Sequence, residues 1–287
     1  MIKKLKRIVV GIDIFSKSNI ALERALMIAK NNNSELYIVH IVETPWLSLP
    51  SYFGGEEIMI DTQILKKKIT KKLKDFNKNN DIPCTIFVKE GSVVDTLLHE
   101  ANLLKADILV IGANTKKQKK VLGTSAEKII HQSKLPVLVV KNNVKKTYQN
   151  IVAPTDFQSQ SIQGIKFAQN IFPKAEICAV HSIEMIYYMY DMHISVGYDL
   201  PQYNELSKEN AEASMKKLIK DLSLHKGKNL DSDFESKKAL LNYIKNASYD
   251  LTVVGSRSIE GFASLLLGSV SSTILRKVKT DVLVYVA

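Results

Sequence analysis

The chain has 287 residues, of which 45% are hydrophobic and 24% charged, a composition that is typical of a folded protein and argues against a disordered one. No apolar run reaches the roughly 18 residues of a membrane span, and the two cysteines, Cys84 and Cys178, are too few for a disulfide scaffold or a cysteine zinc site. The net charge of +11 lies wholly in residues 1–147, and since the excess is mostly lysine, it indicates a solvated helical surface and argues against specific nucleic-acid recognition.

Short β-branched segments alternate with segments of helical period in the first half of the chain. In chain order, the predicted elements are strand Ile8–Ile12, helix Asn19–Lys30, strand Leu36–Val42, helix Thr62–Asn77, strand Cys84–Val88, helix Val94–Leu104, strand Ile108–Ile111, helix Ser125–Gln132 and strand Val137–Val140. The apolar runs are continuous, as in strands that are buried on both faces. The alternation predicts parallel strands with right-handed crossovers, and so an open, doubly wound α/β sheet.

The second half of the chain repeats the first. Five pairs of segments match in the same order: Ile8–Asp13 with Ile151–Asp156, Leu36–His40 with Ile177–His181, Asp107–Gly112 with Asp250–Gly255, Leu122–Thr124 with Leu267–Ser269, and Pro136–Val140 with Asp281–Tyr285. Because five pairs in register are not expected by chance, we infer an internal duplication. The polar joint Lys145–Thr147 then separates a domain over residues 1–147 from one over residues 148–287, and the fold class is two tandem doubly wound α/β sheets.

Residues at the carboxyl ends of the strands carry the functional signal, because ligands of such sheets bind outside those ends. Asp13 and Asp156 follow the first strand of each half, and His40 and His181 follow the second. For each aspartate, a hydrogen bond to a nucleotide or a cap on the next helix is favoured over acid–base catalysis, because no second carboxylate recurs in the motifs. Each histidine is expected to make a structural hydrogen bond, since no partner with metal-ligand spacing is present.

The loop after the fourth strand carries the strongest binding signal. In the second half Gly255 ends the strand, and Gly268-Ser269 then opens a helix, with nine residues between Ser258 and Gly268. The free N–H groups and the dipole of a helix start favour an anion there. Side chains suited to phosphate are those of Arg257, Ser258, Ser269 and Ser271. The chain has no Walker A, GxGxxG, GxSxG, HExxH or CxxC motif.

The strand-1 aspartate, the strand-2 histidine and the G-x-x-G, nine residues, G-[S/T] order together resemble the universal stress protein family. The resemblance covers the whole chain as a tandem of two domains, and the second half matches better through Ala153–Phe157, the nine-residue spacing and Leu267–Val270. It implies five-stranded, Rossmann-like parallel sheets of order 3-2-1-4-5. It also implies ATP as the ligand, with or without Mg²⁺.

In the second half, the resemblance implies a nucleotide site at the strand ends. Adenine and ribose contacts would fall on Pro154, Thr155, Asp156 and Ser182, and phosphate contacts on Gly255, Arg257, Ser258, Gly268, Ser269, Val270 and Ser271. Ser258 replaces the second glycine of the family pattern, which makes a positive φ costly at this position. The end of the third strand also lacks the glycine that the first half has as Gly91.

The first half departs further from the family pattern. Its glycine loop is two residues shorter and strongly basic, and Thr124-x-x-Glu127 reads as a capping box, so the Thr124 hydroxyl is expected either to cap the helix or to contact phosphate. The weaker candidate contacts in this half are Asp13, Ile41, Gly112, Gly123 and Thr124. We expect this half to bind nucleotide weakly or not at all, or to bind a different phosphate-rich ligand through its lysines.

Three functions follow in order of preference: a nucleotide-binding stress-response or signalling protein, a slow ATPase or phosphoryl-transfer enzyme, and an interaction module with vestigial sites. No catalytic and no metal-binding residue is predicted. The start of the chain has no cleavage-site pattern, so a cytoplasmic protein without a membrane partner is expected. The resemblance further implies pairing of the two domains through their last strands as a pseudo-dimer, with a homodimer as an additional possibility.

Overall fold

The computed structural model describes residues 4–16, 19–43, 61–78, 81–113, 122–185, 200–233, 235–256 and 267–286. Their contacts divide the chain into two compact units, and the boundary between these units lies between Thr147 and Tyr148. Among the described helices, none is both long enough and apolar enough to cross a membrane.

The first unit is a parallel sheet with helices in its crossovers. Its elements are β1 (Arg7–Ile12), α1 (Ile20–Asn32), β2 (Glu35–Val42), α2 (Thr62–Phe76), β3 (Cys84–Glu90), α3 (Val93–Leu103), β4 (Ile108–Gly112), α4 (Thr124–Gln132) and β5 (Val137–Val140). The strand order is β3-β2-β1-β4-β5, and the neighbouring strands pair in parallel. All nine predicted elements are therefore confirmed, with ends that shift by one or two residues.

The second unit repeats this architecture. Its elements are β6 (Asn150–Pro154), α5 (Ser159–Ile171), β7 (Glu176–Met185), α6 (Leu200–Leu222), β8 (Lys226–Asp233), α7 (Ser236–Asn246), β9 (Leu251–Ser256), α8 (Ser269–Lys277) and β10 (Asp281–Val286). The strand order β8-β7-β6-β9-β10 is again 3-2-1-4-5 in unit numbering, with parallel pairing. The tandem doubly wound α/β fold is confirmed.

The same carboxylate contact fixes the first and fourth strands of each unit at their amino ends. One oxygen of Asp107, just before β4, accepts hydrogen bonds from the backbone N–H groups of Lys6 and Arg7, at 2.8 and 2.9 Å. One oxygen of Asp250, just before β9, accepts from Gln149 and Asn150 at 2.9 and 3.0 Å. Two unpaired N–H groups at the start of each first strand are thereby satisfied. This device is shared by both units.

Burial differs between central and edge strands. The central strands β1 and β4 have fully buried apolar runs, as the sequence predicts. In β3, by contrast, only Val88 is buried, so the expectation that this strand is covered on both faces is wrong. It lies at the sheet edge, where one side has no strand neighbour in its unit. The lysine-rich face of α2 is solvated as expected, since only Leu65 and Ile69 of this helix are buried.

Candidate functional site

The aspartate after the first strand closes a turn in both units. In the second unit, Oδ1 of Asp156 accepts a hydrogen bond from the N–H of Gln158 at 3.0 Å and another from Oγ of Ser161 at 2.9 Å. In the first unit, Oδ1 of Asp13 accepts from the N–H of Phe15 at 2.9 Å. The alternative that these aspartates cap the next helix is wrong, because the N-cap residues of α1 and α5 are Asn19 and Gln158 and no side chain caps either helix. Both side chains remain exposed at the carboxyl edge of the sheet.

The recurrent histidines are structural, as predicted. Nδ1 of His181 donates to the carbonyl oxygen of Thr155 at 2.8 Å, and Nδ1 of His40 donates to that of Ile12 at 3.1 Å. Each bond joins the second strand to the end of the first strand. The rings also carry aromatic contacts, because the ring centroid of Phe157 lies 4.5 Å from that of His181, and Phe157 itself adopts a left-handed conformation with φ of 59°.

Pro154 and Thr155 are buried at the end of β6, and Ser182 is half-buried on β7. Oγ of Thr155 is 2.9 Å from Oγ of Ser161 and accepts from the N–H of Phe157, also at 2.9 Å. Oγ of Ser182 donates to Oγ of Ser232 at 3.0 Å. The groups that the resemblance assigns to adenine and ribose thus form a hydrogen-bonded rim, from which the Asp156 carboxylate extends into solvent.

Gly255 brings the end of β9 against the start of α5. A Cβ atom at this position would lie 2.8 Å from the carbonyl carbon of Gln160 and 3.0 Å from the backbone nitrogen of Ser161. Its φ is not positive, so the glycine is required by close packing and not by a left-handed turn. The Gly255 carbonyl oxygen accepts a hydrogen bond from Oγ of Ser271 at 3.0 Å, which ties β9 to the first turn of α8.

The start of α8 is open. Gly268 is the N-cap residue with φ of −54° and ψ of 155°, no side chain caps the helix, and a Cβ atom added to Gly268 would meet nothing within 4 Å. Gly268 and Ser269 are exposed, and Val270 is half-buried. The first N–H groups of an α-helix have no partner within the helix. Among the described residues, no side chain therefore occupies these N–H groups, which are available to an anion.

The start of α4 in the first unit corrects one expectation. Gly123 is the N-cap residue, with φ of −79° and ψ of 158°, and no side chain caps the helix. Thr124 is consequently the first residue inside α4, one position too late for a capping box with Glu127. The capping alternative for the Thr124 hydroxyl is wrong.

A lysine that the sequence analysis did not select lies against the β1–α1 loop. Nζ of Lys72, on α2, donates to the carbonyl oxygen of Ile14 at 3.0 Å and lies 3.5 Å from both the carbonyl oxygen of Ser16 and Oδ1 of Asn19. Its position in a lysine-rich helical face gave no signal, because only tertiary packing brings α2 to this loop. Lys72 thus places a positive charge at the carboxyl end of β1.

The structure brings the candidate residues of the second unit to one edge, because β6, β7 and β9 are adjacent parallel strands and α8 starts beyond β9. In the first unit Asp13, Ile41, Gly112, Gly123 and Thr124 occupy the corresponding strand ends and helix start. Arg257 and Ser258 lie outside the described residues. Across the described ranges, no group of three or more His, Cys, Asp or Glu side chains is placed to hold a metal ion.

The universal stress protein family model matches this chain twice, over residues 4–141 and 147–285. The chain belongs to the universal stress protein family. It is similar to the universal stress protein MJ0531 of Methanocaldococcus jannaschii, with 30% identity over 147 residues that cover 49% of this chain and 85% of that protein. The two matches of the family model follow the duplication that the sequence indicates.

Solved structures of family members share the fold. A universal stress protein of Archaeoglobus fulgidus matches with a TM-score of 0.68 and 16% identity, and the match covers 97% of each chain. Another universal stress protein, solved in complex with cAMP, matches 48% of this chain and 98% of its own, with 25% identity and a TM-score of 0.35. The near-complete coverage by the A. fulgidus protein shows that tandem arrangement of this fold occurs elsewhere in the family.

Proposed function

We propose that the protein is an adenine-nucleotide-binding member of the family that acts in a stress response or in signalling, with ATP bound mainly by the second unit. The phosphates would contact the N–H groups at the start of α8, together with the Ser269 hydroxyl. Adenine and ribose would lie against the rim formed by Thr155, Asp156 and Ser182. Nucleotide occupancy would then stabilise one conformation of the protein over another.

One observation carries this proposal: the open start of α8. A Cβ atom added to Gly268 would meet nothing within 4 Å. No side chain caps the helix, and Ser269 is exposed. The Ser271 hydroxyl holds this turn to the carbonyl oxygen of Gly255, so the helix start is fixed at the sheet edge. A helix start that is uncapped and bonded to the end of β9 is suited to a phosphate group.

The loop after the first strand is held differently in the two units, and this difference supports the second unit as the nucleotide site. Lys72 bonds the loop that follows β1, which leaves its ammonium group engaged with the Ile14 carbonyl at the edge where adenine would bind. The corresponding loop of the second unit is held by its own side chains, through Thr155, Asp156 and Ser161. The loop after β6 is thus held by its own side chains, whereas the loop after β1 is held by a lysine of α2.

Ser269 and Thr124 provide a matched pair of variants, because each is the first residue of its helix. We expect Ser269→Asp to lower ATP affinity at least tenfold, since two unit charges 4 Å apart repel by about 1 kcal/mol in water and more near a protein surface. A carboxylate at the start of a helix interacts favourably with the helix dipole, so we expect the variant to keep its fold. Thr124→Asp is expected to leave ATP affinity within about twofold.

Isothermal titration of ATP into the full chain and both variants measures these affinities. Mass spectrometry of the gently purified, then denatured protein identifies any bound nucleotide. Unchanged ATP affinity in Ser269→Asp would show that the phosphates bind elsewhere. A larger loss in Thr124→Asp would assign the nucleotide to the first unit.

A further inference from the structure

A lysine-lined groove runs between α7 and α8 of the second unit, away from the strand ends. It encloses about 380 Å³, and its lining includes Lys237, Lys238 and Lys245 of α7 and Lys277 of α8, with Leu241 below them. Leu241 is buried, whereas the four lysines are exposed. The groove therefore has an apolar floor and cationic walls, and its volume is that of a small-molecule site.

The charge in this groove is not compensated by its surroundings. Glu235 pairs with Lys238, with 2.7 Å between Nζ and Oε2, but within the described part of the chain no carboxylate pairs with Lys237, Lys245 or Lys277. Among the described residues that line the groove, none is acidic. The residues 148–287 carry equal numbers of acidic and basic residues, so this local excess is not a by-product of a basic domain.

Two of these lysines stand where a helix disfavours them. Lys237 and Lys238 lie in the first turn of α7, and this turn contains no acidic residue. The positive end of the helix dipole repels lysine there, whereas Lys245 and Lys277 lie in last turns, where the dipole favours them. The N-cap residue Glu235 pairs with Lys238 and offsets the effect of the dipole there, so helix stability leaves only the position of Lys237 unexplained. An anion in the groove would reverse the unfavourable contact.

The size and composition of the groove define the ligand class. Lys237 and Lys245 are eight residues apart, which is about 12 Å along a helix. Lysine acts as a compact point charge and needs no planar partner, which suits phosphate groups. The lining contains no arginine and no aromatic ring, so it lacks the stacking surface that single-stranded nucleic acids use. The ligand that fits is small, linear and multiply charged.

We infer that the α7–α8 groove is a second anion site, which binds a small condensed phosphate or a polyphosphorylated small molecule. This site is separate from the proposed nucleotide site, since the groove lysines lie along the helices and the nucleotide phosphates would lie at the start of α8. Its affinity falls with ionic strength, because the lysines are exposed and screened by salt.

The test uses the full chain, with inorganic tripolyphosphate as the probe and inorganic phosphate as the reference. Titration calorimetry at low ionic strength should show tighter binding of tripolyphosphate than of phosphate. The double variant Lys245→Glu/Lys277→Glu should lose at least tenfold in tripolyphosphate affinity and keep its ATP affinity. Lys217→Glu, an exposed position of α6 outside the groove, should change tripolyphosphate affinity less than twofold.

Several results would overturn this inference. If Lys217→Glu lowered tripolyphosphate affinity as much as Lys245→Glu or Lys277→Glu alone, the general electrostatic field of the protein, and not the groove, would attract the probe. Loss of tripolyphosphate binding in Ser269→Asp would mean that the probe occupies the proposed nucleotide site. No preference for tripolyphosphate over phosphate, or tighter binding of a single-stranded oligonucleotide through the same lysines, would also refute it. Circular dichroism of each variant confirms that the fold is retained.

Discussion

Replacement of Gly255 by alanine tests how the end of β9 meets α5. The new methyl group would lie 2.8 and 2.9 Å from the carbonyl carbon and oxygen of Gln160, whereas ordinary contacts begin near 3.4 Å. The neighbouring atoms belong to backbone, so the start of α5 has to move by about half an ångström. Overpacking of this kind costs about 1–3 kcal/mol, and the stiffer unfolded chain returns about 0.4–1 kcal/mol. We expect a net loss of about 1–2 kcal/mol.

Gly112 is the matched control, because it ends β4 as Gly255 ends β9 in the repeat. Within the described ranges, a methyl group on Gly112 would meet only Cβ of Ala21, at 3.9 Å. Gly112→Ala is therefore expected to be neutral, or to stabilise the first unit by up to about 1 kcal/mol. The sequence does not distinguish these two glycines, so a difference between the variants would come from packing alone.

Urea unfolding with hydrogen exchange read by mass spectrometry measures both effects, since peptides from β9 and α5 report on one unit and peptides from β4 and α1 on the other. This readout avoids a two-state assumption for a chain of two units. Equal stability of Gly255→Ala and the unchanged protein would refute the packing argument. A comparable loss in Gly112→Ala would show that glycine is needed at both strand ends for a different reason.

Two further predictions concern buried groups. Tyr148→Phe removes the hydroxyl donor that lies 2.5 Å from the fully buried Asp281 carboxylate, and we expect it to lower the free energy of unfolding in urea by about 1–3 kcal/mol. Tyr37→Phe removes a 2.6 Å bond to the exposed Glu35 and should lower it by less than about 0.5 kcal/mol. Similar losses in the two variants would contradict the role of burial. Burial also raises the pKa of the Cys84 thiol from 9.0 to about 11. The unfolded thiol then ionises before the folded one, so stability present below pH 9 declines as the pH rises from 9 to 11. Alkylation by iodoacetamide, followed on the Cys84 peptide by mass spectrometry, should accelerate up to about pH 11, and a plateau already at pH 9 would refute the shift.

The sequence predicts the frame of this fold well. Continuous apolar runs place β1, β4 and their repeats, because these strands are buried on both faces and leave an unambiguous pattern. The edge strands give a weaker signal. Leu230 is the only aliphatic residue in β8, between Lys226 and Asp233, and the strand forms by pairing with β7, which the local sequence does not show.

The site is predicted less completely, because its details depend on tertiary contacts. The strand-end histidines are recognisable from their recurrence, and their bonds to Ile12 and Thr155 agree with that interpretation. The capping-box pattern at Thr124 misleads, since the loop enters α4 one residue earlier than the pattern requires. Lys72 is indistinguishable in sequence from its solvated neighbours on α2. The assignment of ATP contacts and the pairing of domains through their last strands stay predictions.

Asp107 and Asp250 occupy equivalent positions in the two units, and their contacts align the strands at the sheet end opposite the candidate site. Both bind backbone N–H groups at the amino ends of the strands, on the side of each sheet opposite the glycine loops. Two copies of one scaffold therefore carry chemically different loops after their first strands, one contacted by Lys72 of α2 and the other held by its own hydroxyl and carboxylate groups, while their strands are aligned in the same way.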